Sequence, residues 1–160
     1  MTKQEAIRTD FINALKTIKT TNQYESGKNY ETNIGNYIKD WNEQPLPTET
    51  VREVIVEDRK IEHENNPEFE EAHYQTIIFT IKIYEPGKTT VASLRKDEID
   101  IMRCIGANED AFFTKYGDTV FSIVEREKDV VKKNITIGGS KIIVKIKFGT
   151  KRWLIGEPSY

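Results

Sequence analysis

The residues best placed to do chemistry are Gly87-Lys88-Thr89, which stand between a strand-like run and a helix-like run. Gly-Lys-Thr in that setting is the second half of a phosphate-binding loop, in which backbone amides wrap the phosphates and the lysine balances their charge. The complete pattern needs a glycine five residues before Gly87, and Lys82 stands there, inside the strand. The motif therefore reads as a Pro86-Gly87 turn, and a nucleotide-binding enzyme would rest on Lys88 and Thr89 alone.

His63 and His73 lie among Glu62, Glu64 and Glu71, an acidic neighbourhood that a divalent cation could use. Neither a His-x-x-x-His nor a Cys-x-x-Cys pair exists, and ligands scattered over a loop would be poorly preorganised. Cys104 is the single cysteine, so no intramolecular disulfide can form. It falls beside apolar helix positions with no sequence-local base, which reads as a small core residue and not as a nucleophile. Glu68 with Glu70, and Asp97 with Glu98, are neighbouring carboxylates with nothing to separate their environments, and they read as surface charges. No catalytic residue, cofactor or metal ligand is expected.

Charge patterning is more informative. Lys141, Lys145 and Lys147 fall on one face of a strand-like run, interrupted only by Ile143, with Lys132, Lys133 and Lys151 nearby. Nucleic-acid binding would want aromatic residues interleaved there. Two readings stand: a solvated face whose lysines discourage edge aggregation, or a charged contact with an acidic partner subunit. The acidic stretch Glu57, Asp58, Glu62, Glu64, Glu68, Glu70 and Glu71 offers such a partner on a neighbouring copy.

The scaffold that must position these groups has 160 residues, enough for one domain with a sizeable core. Charged residues make up 31% and hydrophobic ones 37%, which excludes wholesale disorder. The net charge of -2 excludes a global positive field that would draw the chain onto nucleic acid. The N-terminal residues lack the apolar core of a signal peptide, and no apolar run approaches the ~20 residues that span a bilayer. Folding in a cytosol, with no membrane partner, is expected.

Thr2 and Glu5 have capping-box spacing, and Ile7, Phe11, Leu15 and Ile18 follow at helical steps. A polar stretch over 22–36 reads as loop, 37–41 as a short strand, and Pro45 and Pro47 as an extended link. Residues 50–57 read as a strand, 57–71 as a loop or long hairpin tip, and 74–84 as a strand with Ile77, Phe79, Ile81 and Ile83 on one face. Val91, Leu94, Ile101, Met102 and Ile105 predict a helix over 90–105 that Gly106 would cap, with a short helical turn over 108–116. A strand over 119–126 precedes a final hairpin whose turn is Gly138-Gly139-Ser140. The order predicts an α+β fold, a mostly antiparallel sheet flanked by two main helices, in a single domain over 1–152. Residues 153–160, from Trp153 to Tyr160, form a C-terminal arm for docking.

Taken together, the opening helix, the run Tyr30-Glu31-Thr32-Asn33-Ile34-Gly35-Asn36-Tyr37-Ile38-Lys39-Asp40-Trp41, the proline link and Val54-Ile55-Val56-Glu57-Asp58 carry a likeness. With the long strand to Tyr84, the second helix and the last alternating strand, the chain over about residues 5–150 resembles the tail-terminator and minor-tail-protein families of long-tailed bacteriophages. The resemblance implies a homo-oligomeric ring, expected to be a hexamer, that caps the tail tube, stops its polymerisation and presents the head-joining surface. It implies contacts with the major tail tube protein and a head-completion (stopper) protein, with DNA passing through the lumen unbound. Its place would be the head-proximal end of the virion tail, after assembly in the host cytoplasm. Another neck or head-completion protein of the same particle, or a monomeric adaptor binding through a sheet edge, are the neighbouring readings. A ring needs two unlike complementary patches per copy, and the acidic and basic segments could supply them. The 57–71 stretch would face the lumen or the neighbour, or else be a solvated outer loop.

Overall fold

The computed structural model describes residues 1–40, 53–65, 73–86, 91–117, 119–132 and 136–150. The first helix, α1 (Lys3–Leu15), starts at a complete capping box: the Thr2 hydroxyl accepts from the Glu5 backbone N–H, and the Glu5 carboxylate accepts from the Thr2 N–H at 2.8 Å. Two orphan donors of the first turn are thus satisfied. Ala6, Ile7, Phe11, Ile12 and Leu15 form its buried stripe. Ile18 is buried too, three residues beyond the helix end.

The polar stretch that reads as loop holds a small hairpin, β1 (Gln23–Glu25) and β2 (Lys28–Asn29), turned by Gly27 at φ 76°. A 3-10 turn over Ile34–Tyr37 leads into β3 (Ile38–Asp40). Four longer elements of sheet follow around one helix: β4 (Glu53–Asn65), β5 (His73–Pro86), α2 (Val91–Tyr116), β6 (Val120–Lys132) and β7 (Thr136–Thr150). The five-stranded sheet has the order β3-β4-β5-β7-β6. Only the β3–β4 pair is parallel, so the fold is α+β with a mixed, mostly antiparallel sheet.

The core lies between the helices and one face of the sheet. Val54 and Val56 of β4, Ile77, Phe79, Ile81 and Ile83 of β5, and Ile142, Val144, Ile146 and Phe148 of β7 join the buried stripes of α1 and α2 in one cluster. Period-two alternation puts every second residue of β5 and β7 into this layer and leaves the others on a face that carries no described helix. Phe11 of α1 meets Phe79 of β5 with ring centroids 4.6 Å apart. At the edge of this layer Arg8 reaches from α1 to Asp58 at 2.8 Å and to Asp40, tying the helix to β4 and β3.

Four expectations from sequence need correction. Gly106 does not cap a helix: α2 runs unbroken to Tyr116, and Gly117 at φ 80° follows it. An exposed glycine costs a helix only about 1 kcal/mol, and Phe112 and Tyr116 continue the buried stripe of Leu94, Ile101 and Ile105 past it. Gly138-Gly139-Ser140 is not a turn but part of β7, in register with Glu85, Tyr84 and Ile83; the β6–β7 connection falls at 133–135, outside the described residues. The loop reading of 57–71 fails over 57–65, where its alternative, a long hairpin, holds: these residues are the second half of β4, because pairing with β5 continues to Asn65 beyond a bulge between Glu57 and Lys60. Asp97 and Glu98 are not surface charges: both are buried where α2 crosses the sheet. The proline link at 45 and 47, the Gly87-Lys88-Thr89 turn and the 153–160 arm lie outside the described residues.

Candidate assembly interface

On the face without a described helix, Lys141, Ile143, Lys145 and Lys147 stand half-buried in a row along β7, as the alternation of that strand predicts. Their partners on β5 are Lys82, Thr80, Ile78 and Thr76. The Lys147 ammonium lies 4.8 Å from the centre of the Tyr74 ring, a cation–π contact, so an aromatic residue does border the row. Sequence spacing alone could not reveal it, because Tyr74 belongs to the neighbouring strand.

The described side chains of the acidic segment, Glu57, Asp58 and Glu62, divide between the two faces. Glu57 is 4% exposed and faces Lys82 at 3.4 Å, while Asp58 points to the helix side and takes the Arg8 guanidinium. Glu62 lies between Lys60 at 3.4 Å and Lys145 at 3.8 Å. The expected contact between acidic and basic segments thus has an intramolecular component across β5. The two pairs of Glu62, which is well exposed, contribute at most about 1 kcal/mol each. The side chain of Glu64 and all of Glu68, Glu70, Glu71, Trp153 and Tyr160 fall outside the description.

Further along this face Ile55 is buried between its register partners Lys39 and Lys82. Their ammonium groups reach Glu53 at 2.7 Å and Glu57 at 3.4 Å, so the aliphatic stems flank the isoleucine while the charges pair beside it. Burial, and then the Glu57 and Glu53 carboxylates, push the Tyr84 hydroxyl above its ordinary pKa.

The helix side holds a second polar cluster that sequence reasoning missed. Glu98 accepts a 2.6 Å hydrogen bond from the Ser140 hydroxyl, and Asp100 accepts from the Glu31 and Thr32 backbone N–H groups, the Thr32 hydroxyl and Arg103. The sequence signal for Glu98 was its placement on the same helix stripe as Leu94 and Ile101; Asp100, adjacent to Ile101, lies off that stripe. Cys104 is buried as expected, its thiol directed at the Ala14 carbonyl oxygen at 3.3 Å. Burial pushes that thiol up to about 11, away from nucleophilic reactivity. No group of three or more His, Cys, Asp or Glu residues suited to a metal ion occurs among the described residues, and no described helix is long and apolar enough to cross a membrane.

The chain matches no protein-family model and no curated protein. Its surface therefore has to be read from its own geometry.

Among the described residues the outermost strand on one side is β6, which pairs there with β7 alone. Edge strands offer a row of unused backbone donors and acceptors, and charged residues or proline commonly blunt them. The first half of β6 is not blunted: Val120 is 54% exposed and Val124 55%, with Ile123 also exposed. Phe113, 56% exposed, adds an aromatic ring from the last turns of α2. Phe121 between them turns inward onto Phe11 and Phe112, so the strand is anchored while its neighbours face outward. Sequence alternation alone treats 120–124 as an ordinary half-buried strand. That both faces of an outermost strand are apolar becomes significant only with the strand order.

Proposed function

We propose that this chain is a structural assembly subunit of a long-tailed bacteriophage, a tail-terminator-like protein. In this reading it forms a ring, capping the tail tube, ending its polymerisation and presenting the head-joining surface. The observation that carries the reading is the β6 edge, without a second strand partner among the described residues, with Val120, Ile123, Val124 and Phe113 exposed. Exposed apolar residues clustered at a strand edge mark a surface made to be covered by protein. The order of elements supports the same reading, since the opening helix, the paired strands, the second helix and the last alternating strand follow the pattern of that family.

A ring built from one kind of subunit needs a head-to-tail contact between two different patches of each copy. The β6 edge supplies one, and the lysine row of β7 on the adjoining face supplies a chemically different second. Its partners in this reading are further copies of itself, the tail tube protein and a head-completion protein.

The test is mass measurement with negative-stain imaging, over a concentration series and then with purified tail tubes. Closed rings, and tubes capped at one end, are the expected outcome. A chain that stays monomeric and ignores tubes would overturn the proposal.

A further inference from the structure

We infer that a notch between the end of α2 and the start of β6 is the socket for a lysine-bearing strand face of a second copy of this chain. The inference rests on the ring reading and names the two surfaces that would meet. The notch, about 220 Å3, is lined by Glu109, Asp110, Phe113, Thr119, Val120 and Phe121. Its walls combine an exposed aromatic ring and an exposed valine with two carboxylates, and neither carboxylate makes an ion pair among the described residues. At its base Thr119 is 9% exposed, and its hydroxyl has no hydrogen-bond partner among the described residues.

That combination selects a class of occupant. A buried hydroxyl without a partner is costly, and a polar group brought into the notch would recover that loss. Two carboxylates without an ion pair among the described residues favour a cation, and the apolar walls favour one that arrives on an aliphatic stem, as lysine does. The same chain carries the counterpart: along β7, Lys141 and Lys145 stand on either side of Ile143, half-buried on a face without a described helix. Lysine, isoleucine and lysine face acid, aromatic and valine with charges opposed and apolar groups matched. The two surfaces adjoin but do not coincide, since Val120 of the notch is the register partner of Lys147 and Ser122 that of Lys145; a contact between unlike patches on two copies is head-to-tail, as a ring of identical subunits requires. An isologous dimer would set the notch against a second notch and bring four carboxylates together.

The test is a charge swap read by sedimentation velocity, with circular dichroism and thermal melting to verify folding. One variant is E109K/D110K and the other K141E/K145E. Each alone is expected to self-associate roughly tenfold or more weakly than the parent chain. An equimolar mixture is expected to recover association, because the lysine notch of one variant fits the glutamate ridge of the other and the remaining natural pair is intact. Parent-like assembly of either variant alone, or a mixture no better than its components, would overturn this contact and leave the ring reading standing. A parent chain monomeric at every concentration, with and without tail tubes, would overturn both. Should one double variant fail to fold, E109Q/D110N and K141Q/K145Q keep the question open to measurement. Undiminished association in those neutral variants would also overturn the contact.

Discussion

Asp100, buried in α2, accepts hydrogen bonds from both the backbone N–H and the hydroxyl of Thr32, each at 2.7 Å. One carboxylate thus fixes the segment that follows the small hairpin. Around it, Arg103 bonds Asp100 at 3.0 Å, pairs with Glu31 at 3.3 Å and lies 4.9 Å from the centre of the Tyr24 ring. The segment between α1 and β3 is pinned to the core by Ile18, Tyr30 and Ile34, and this polar anchor adds a directional tie to α2 beside them. Asp100→Ala leaves several part-buried donors without their acceptor, and it is expected to cost about 2 kcal/mol. Urea denaturation measures the loss, and amide exchange should speed up first at residues 23–32. A change under about 0.5 kcal/mol would show that the anchor is dispensable.

Two glycines should respond in opposite directions. A Cβ at Gly35 would lie 2.5 Å from the Lys16 carbonyl oxygen, 2.7 Å from that of Ile18 and 2.9 Å from the Ile18 nitrogen. All three are backbone atoms, so the chain itself would have to move. Gly35→Ala is expected to destabilise by about 2 kcal/mol. A Cβ at Gly106 meets nothing within 4 Å, and Gly106→Ala in the exposed face of α2 should stabilise by roughly 0.5–1 kcal/mol. Thermal melting of the two variants against the parent decides both signs.

Burial raises the Cys104 thiol from its ordinary 9.0 to about 11. A group whose folded pKa exceeds its unfolded one contributes stability that is complete below the unfolded value and is lost as pH rises. Stability should therefore decline between pH 9 and pH 11, and Cys104→Ala should flatten the decline in that window. Tyr30, raised in the same direction first by burial and then by Cys104, extends the loss to higher pH. At pH 8 only on the order of one thiol in a thousand is ionised, so alkylation by iodoacetamide should wait for unfolding. Rapid labelling of the folded chain at that pH would contradict the buried placement.

Phenylalanines at two depths separate stability from assembly. Phe79 is wholly buried against Phe11, and Phe79→Ala is expected to cost roughly 3–5 kcal/mol. Phe113 is 56% exposed, and Phe113→Ala should change stability by less than about 0.5 kcal/mol while weakening self-association. Paired measurements of melting temperature and sedimentation check this. A large stability loss at Phe113 would place it in the core instead of on the contact surface.

Much of the scaffold was legible because its signals are local. The capping box of Thr2 and Glu5, the α1 stripe of Ile7, Phe11 and Leu15, and the alternation of Ile77 to Ile83 each depend on residues within a turn or a strand of one another. The same locality explains the failures. Gly106 resembles a helix stop, and Gly138-Gly139 a turn, when judged by neighbours alone. The buried stripe of Phe112 and Tyr116 overrides the first, and pairing with β5 and β6 overrides the second.

The candidate interface was legible only in part. The lysine row at 141, 145 and 147 follows from period two, but the exposure of Phe113 and Val120 does not, because Phe112 and Phe121 beside them have the same hydrophobicity and are turned inward. Local pattern was enough to show which residues could form helix and strand and that Lys82 interrupts the phosphate-loop pattern. Tertiary structure alone decided that β3 joins in parallel, that β6 is left at the edge, and that Asp97, Glu98 and Asp100 are buried while Glu109 and Asp110 are not. The physical reason is range: periodicity and capping act over a few residues, whereas strand order and the burial of a charge depend on contacts between segments far apart in the chain.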